Sequence, residues 1–214
     1  MPKDVLATCR AWVFDLDNTL YPPSARLFDQ IEVRMTAFVM EALGVDEARA
    51  DQLRRDYWHA HGTTLAGLMA EHGISPEPYL EEVHDISFAV LDPDPDLREA
   101  IDRLPGRRIV YTNGSAPYAR RVITALGLDG LFDAVYGVEH ADYRPKPHAE
   151  AFASVFARDG LTCEGATMFE DDPRNLAVPH ALGMHTVHVA ETAAPAPHIR
   201  FHTSRLDRFL SDLT

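Results

Sequence analysis

Cysteine is scarce: Cys9 and Cys163 are the only two in 214 residues. Two cannot build the multi-bridge framework of a small secreted domain, and neither lies in a zinc-type spacing. Both are read as reduced thiols, and the expected compartment is the cytoplasm. Positive charge is also short. Twenty Lys and Arg stand against 33 Asp and Glu, a formal net charge of −13. With no basic stripe, sustained binding to a nucleic-acid polymer is excluded. No apolar run is long enough to span a membrane, and the opening MPKDVLATCR has no apolar signal core. Repeats and low-complexity tracts are absent, and the Ala/Pro-rich stretch 190–197 reads as an irregular loop. Among the histidines, His180, His185 and His188 form no zinc signature and read as scattered. What remains is an ordinary composition, 46% hydrophobic and 25% charged, in a chain long enough to bury a large core.

The first strong signal is the apolar run Trp12-Val13-Phe14, which ends abruptly in Asp15. A helical region follows. Leu27, Phe28, Ile31, Met35, Phe38, Val39 and Leu43 recur at helical spacing, with Gly44 as stop. Helices are predicted over 46–61 and 65–72, with another opening at Ser75-Pro76. After about Val90 the pattern alternates. Asp94-Pro95 opens a helix. Strands are predicted over 108–111, 134–138, 166–169 and 186–189. Helices are predicted over 116–126, 148–158 and 175–182, with a last one capped by Ser204 and running to Leu213. Such alternation implies an α/β, doubly wound, Rossmann-like parallel sheet. The all-helical block exceeds a normal crossover, so it is expected as an inserted helical cap over 22–90. The core is then 1–21 and 91–214.

In open α/β sheets ligands sit beyond the carboxyl ends of the strands. The residues there are Asp15-Leu16-Asp17-Asn18-Thr19, Thr112-Asn113-Gly114-Ser115, Arg144-Pro145-Lys146-Pro147 and Glu170-Asp171-Asp172-Pro173-Arg174-Asn175. Carboxylates crowded on one rim repel each other and call for a cation. All-oxygen ligands favour a hard ion, so Mg2+ is the expected cofactor. Lys146 offers a point charge for phosphate. Thr112, Asn113 and nearby backbone N–H groups offer donors, beside the positive end of the helix near Ser115. Asp15 suits an in-line nucleophile and Asp17 an acid/base for the leaving oxygen.

This set resembles the haloacid dehalogenase superfamily, in order and spacing over nearly the whole chain. FDLDNTLY is similar to its first motif, YTNGS to its second, RPKP to its third and FEDDPRN to its fourth. A helical cap between the first two motifs is the C1 arrangement of subfamily IA. The resemblance implies that Asp15 is nucleophile and metal ligand, and that Asp17 is acid/base with its carbonyl on the metal. It further implies that Thr112 and Lys146 hold phosphate, that Asp171 completes the metal ligands, and that Glu170 and Asn175 support the metal or its waters. Asn18 and Glu170 stand where many members have glycine, and Asn175 where many have aspartate. Pro179 removes a backbone donor in the last motif's helix.

A narrower resemblance, to bacterial pyrimidine 5′-nucleotidase-like members, rests on YWHAHGTTLAGLM, EEVHDISF and DPDPDLREAIDRLPGRR. It implies a small phosphorylated substrate, a nucleoside monophosphate such as UMP or CMP. Tyr57 and His61 lie one helical turn apart and are the candidate cap contacts for the base. The alternatives are a phosphatase of another small metabolite, a sugar phosphomutase, a 2-haloacid dehalogenase and a catalytically silent binding protein. Asp17 and Asp171 speak against the dehalogenase, which needs neither an acid for an ester oxygen nor a metal.

Overall fold

Ala11–Phe14 forms strand β1, and its side chains part to opposite faces of one sheet. Trp12 and Phe14 enter one buried cluster with Val110, Phe169 and Val187, while Val13 enters another with Ile109, Tyr111 and Met168. Burial on both faces is what a parallel sheet covered by helices requires. The computed structural model describes residues 2–213. Met1 and Thr214, the outer ends of the expected core segments, lie outside the described residues.

The other strands are β2 (Arg107–Tyr111), β3 (Ala134–Tyr136), β4 (Thr167–Glu170), β5 (His185–Val189) and β6 (Phe201–Thr203). All pairings are parallel, in the order β3-β2-β1-β4-β5-β6. The chain runs outward from β1 to β3, then returns to the other side of β1 to lay down β4 to β6. The order therefore reverses between β1 and β4, and a crevice opens at their carboxyl ends. Phe14 and Phe169 stack across that junction at 4.7 Å between centroids.

Helix α1 (Pro2–Leu6) precedes β1. Between β1 and the rest of the sheet come α2 (Leu27–Leu43), α3 (Glu47–His61), α4 (Thr64–His72) and α5 (Pro76–Val83), with no strand among them. Asp46 caps α3 by accepting from Arg49 N–H, and Thr63 caps α4 by accepting from Ala66 N–H. Gly44 ends α2 in the left-handed region at φ 63°. The remaining helices are α6 (Pro95–Asp102), α7 (Ala116–Ala125), α8 (Ala149–Asp159), α9 (Ala177–Ala181) and α10 (Leu206–Ser211). Among the described residues no helix is long and apolar enough to cross a membrane.

Three local expectations change. The third strand stops at Tyr136, and a 3-10 turn takes Val138–Ala141. The helix expected over 175–182 is a 3-10 turn, Pro173–Leu176, followed by the short α9. Pro179 has no N–H to extend a helical ladder there. The last helix is capped by Arg205 rather than Ser204. Neither α1 nor β6 was expected.

Candidate active site

The sheet's reversal brings the tips of β1 and β4 side by side. Asp15 N–H still bonds to Phe169 C=O at 2.9 Å, so the ladder carries Asp15 into register before the chain turns. The turn needs a left-handed residue, and Asn18 supplies it at φ 59°. Its amide donates to Asp171 at 3.3 Å. Asp15, Glu170 and Asp171 each offer one carboxylate oxygen, all within 4.8 Å of one another. Lys146 enters from the loop after β3. Its ammonium donates to Asp15 and to Glu170, each at 2.6 Å, and to Tyr111 C=O at 3.1 Å.

With all three ionised, the carboxylates against one ammonium leave two excess negative charges. That balance and the all-oxygen donor set fit a hard divalent cation. Burial pushes the Asp15 carboxyl up to about 8, and neighbouring Glu170 adds to the rise. Burial likewise lifts Glu170 to about 7 and Asp171 to about 6. Lys146 is held above its ordinary range because its ion pairs with Asp15 and Glu170 outweigh its burial.

Asp17 stands outside this trio of carboxylates. Its Oδ1 accepts from the phenols of Tyr21 at 2.5 Å and Tyr118 at 2.6 Å. Burial raises its pKa while both phenols pull the other way. Both phenols are themselves driven far above their ordinary range, first by burial and then by Asp17, so they remain neutral donors. One oxygen of Asp17 is thus fixed, leaving the other for chemistry.

Thr112 is buried beyond β2, and its hydroxyl accepts from Gly114 N–H at 2.9 Å. Asn113 was expected to meet phosphate, but its side chain is committed elsewhere. Its amide clamps the Lys146 peptide, accepting from Lys146 N–H at 2.7 Å and donating to Lys146 C=O at 3.2 Å. Ser115 caps α7.

A cavity of about 960 Å³ opens over these groups, roofed by α2 to α5. Asp15, Asp17, Thr112, Asn113, Lys146, Glu170 and Asp171 all line it. Tyr57 and His61 do not. Tyr57 is buried against Gly67, where any Cβ would collide with its ring, and its hydroxyl bonds to His72 at 2.6 Å. His61 pairs with Glu71 and faces a second, shallower cavity. The face of α3 that meets the main cavity carries Arg54, Arg55 and Trp58. Trp58 lies 3.6 Å from the guanidinium of Arg174, which Asp172 holds in a two-pronged ion pair. Helical spacing could have found Arg54 and Trp58, which share a face one turn apart. Tyr21, one turn after Asp17, was likewise within reach, whereas Tyr118 carried no local signal.

A family model described as haloacid dehalogenase-like hydrolase matches residues 9–183. A Saccharomyces cerevisiae protein, "Phosphate metabolism protein 8", is 27% identical over 202 residues, covering 85% of this chain and 62% of its own. The chain thus spans less than two thirds of that relative's length. The "Glyceraldehyde 3-phosphate phosphatase" of Methanopyrus kandleri is 26% identical over 195 residues, covering 84% of this chain and 83% of its own. Among solved structures, a HAD phosphatase from Thermococcus onnurineus superposes with a TM-score of 0.64 at 17% identity, covering 95% of this chain and 97% of that one. At that identity the likeness is one of fold.

Proposed function

We propose, for a chain that belongs to the haloacid dehalogenase-like hydrolase family, a magnesium-dependent phosphomonoesterase working through an aspartyl phosphate on Asp15. The observation that carries this reading is the junction of two unlike carboxylates in one cavity. Asp15 sits in a cation-seeking trio beside a buried ammonium, and Asp17 is held apart by two phenols. The phosphatase name of the Methanopyrus kandleri relative supports the same chemistry. Helices α2 to α5, within residues 22–90, act in this reading as the cap.

Asp15, Asp171 and Glu170 would hold the magnesium, joined by the Asp17 carbonyl; when bound, it neutralises the site and polarises a phosphoryl oxygen. Lys146 and the Thr112 hydroxyl orient the phosphoryl group. Asp15 attacks phosphorus in line, the ester P–O bond breaks, and Asp17 gives its proton to the leaving oxygen. Asp17 then takes a proton from water, which attacks phosphorus, frees Asp15 and releases inorganic phosphate. Raised by burial, Asp17 is suited to carry that proton.

The substrate we favour is a nucleoside 5′-monophosphate, UMP or CMP, with Trp58 rather than Tyr57 as the aromatic surface for the base. Stacking of a base on an aromatic side chain contributes about 1–3 kcal/mol. Trp58→Ala is therefore expected to raise KM for UMP roughly tenfold and to leave KM for a small aliphatic phosphate unchanged. Equal effects on both would remove the stacking role. A panel of phosphate esters assayed for released phosphate, with magnesium and with chelator, tests the whole reading. Release that persists in chelator, or halide release from a 2-haloacid there, would overturn it.

A pH dependence follows from the raised carboxyls. Groups lifted to about 8, 7 and 6 hold protons in the metal-free fold as pH falls through that range. Their folded pKa values exceed the unfolded ones, so they favour the fold at low pH and that stability is lost as pH rises. A cation must displace those protons to bind. Magnesium is thus expected to raise the melting temperature more at pH 8 than at pH 6. Melting curves with and without the ion check this, and a larger shift at pH 6 would contradict it.

A further inference from the structure

The loop that carries Asp171 is held by two imidazoles from a part of the chain beyond the family match, which ends at residue 183. His188 lies opposite Glu170 in the β4–β5 register. It is 3% exposed, and its Nε2 donates to the carbonyl of Asp171 at 2.9 Å. Its Nδ1 is buried and meets no partner among the described residues. A buried imidazole with a bare nitrogen is costly, and a leucine would fill the space without that cost. The one hydrogen bond this ring makes goes to the carboxylate loop.

His198 repeats the contact two residues along. It sits in the irregular stretch between β5 and β6, and its Nε2 donates to the carbonyl of Pro173 at 2.9 Å. Its own position is fixed from β5: the Thr186 hydroxyl donates to His198 C=O at 2.7 Å and accepts from Arg200 N–H at 3.1 Å. The peptide that carries the Asp171 carbonyl is held from its other side too, where Asp172 N–H bonds to Glu170 Oε1 at 3.2 Å. Two peptides of the loop, 171–172 and 173–174, are therefore each tied to an imidazole, and the first of them is tied to the carboxylate cluster as well. An acidic loop repelled by Asp15 and Glu170 has reason to swing outward, and these ties oppose that.

We propose that His188 and His198 are positioning residues that fix the carbonyls of Asp171 and Pro173 and so hold the Asp171 carboxylate toward Asp15 and Glu170 for a divalent cation. The inference rests on the cation site proposed above. Outer partners of metal ligands typically change affinity ten- to a hundredfold when removed. His188→Leu and His198→Ala are each expected to weaken magnesium binding on the order of tenfold. His188→Gln keeps a donor for the same carbonyl and is expected to recover most of the loss.

The experiment is a calorimetric titration of the full chain with magnesium chloride, without substrate, on the wild type and these three variants. Should His188→Leu fail to fold, His198→Ala, in a half-buried loop position, carries the test. Weakened binding in the Leu and Ala variants with recovery in Gln supports the brace. Wild-type affinity in His198→Ala and His188→Leu overturns it while leaving the cation site standing. A Gln variant as weak as Leu overturns the hydrogen bond as the cause. No binding by the wild type overturns the cation site and the brace together.

Discussion

Asp15→Asn is expected to lower phosphate release by on the order of 10⁴-fold or more while the protein stays folded. The amide is close in shape to the carboxylate, and its oxygen can still accept from Lys146. What it lacks is a nucleophilic oxygen. The fold should not suffer, because the charge it removes is one that burial already disfavours. The Asp15 carboxyl is pushed up to about 8, by burial first and by Glu170 next. Losing that charge relieves repulsion within the trio, so the metal-free melting temperature is expected to hold or rise, most visibly above pH 8. Released phosphate from an aryl ester and a melting curve check both halves. A folded variant with near-normal turnover would remove Asp15 from its role.

Lys146→Met is expected to damage both activity and stability, and the stability loss should depend on pH. The ammonium is 1% exposed and bonds two carboxylates and a carbonyl. Removing one partner of a buried ion pair costs about 3–5 kcal/mol, because the other charge is left uncompensated. In the wild type Lys146 lowers the carboxyls of Asp15 and Glu170 against the upward push of burial. Without it they rise further. Folded pKa values above the unfolded ones favour the fold at low pH, and that contribution disappears as pH climbs through the folded values. The variant is therefore expected to approach wild-type stability at pH 5 and to fall well below it at pH 9. Denaturant unfolding at the two pH values measures this, and a deficit larger at pH 5 would contradict the assignment. Turnover is expected to fall about 10³-fold with magnesium present, since a phosphoryl anion loses its fixed cation.

The residues that ended up at the rim were legible because strand ends are easy to find. Trp12-Val13-Phe14 stops at Asp15, and Thr167–Glu170 stops at Asp171. A parallel sheet then places such tips together whatever the loops do. The side chains' partners were not legible. Tyr118 reaches Asp17 from 101 residues away, a pairing only the packing of α7 creates. Asn113 gave no sign that its amide would clamp the Lys146 peptide, since the same group suits a phosphate equally well. On α3, periodicity put Tyr57 and His61 on one face but could not say which face the cavity would meet. The Tyr57 face packs against α4 at Gly67, whereas the Trp58 face lines the cavity beside Arg174. Strand β6 escaped because Phe201–Thr203 is three residues long and follows an irregular loop.

The most direct measurement is chemical trapping of the covalent intermediate. The protein would be mixed with excess phosphate ester and magnesium, quenched within a turnover and reduced with borohydride, which converts an aspartyl phosphate to homoserine. Peptide mass spectrometry would then locate the modified residue. Homoserine at position 15, absent without substrate and absent in Asp15→Asn, is the result expected. Steady phosphate release with an unmodified Asp15, or with the modification at Asp17, would contradict it.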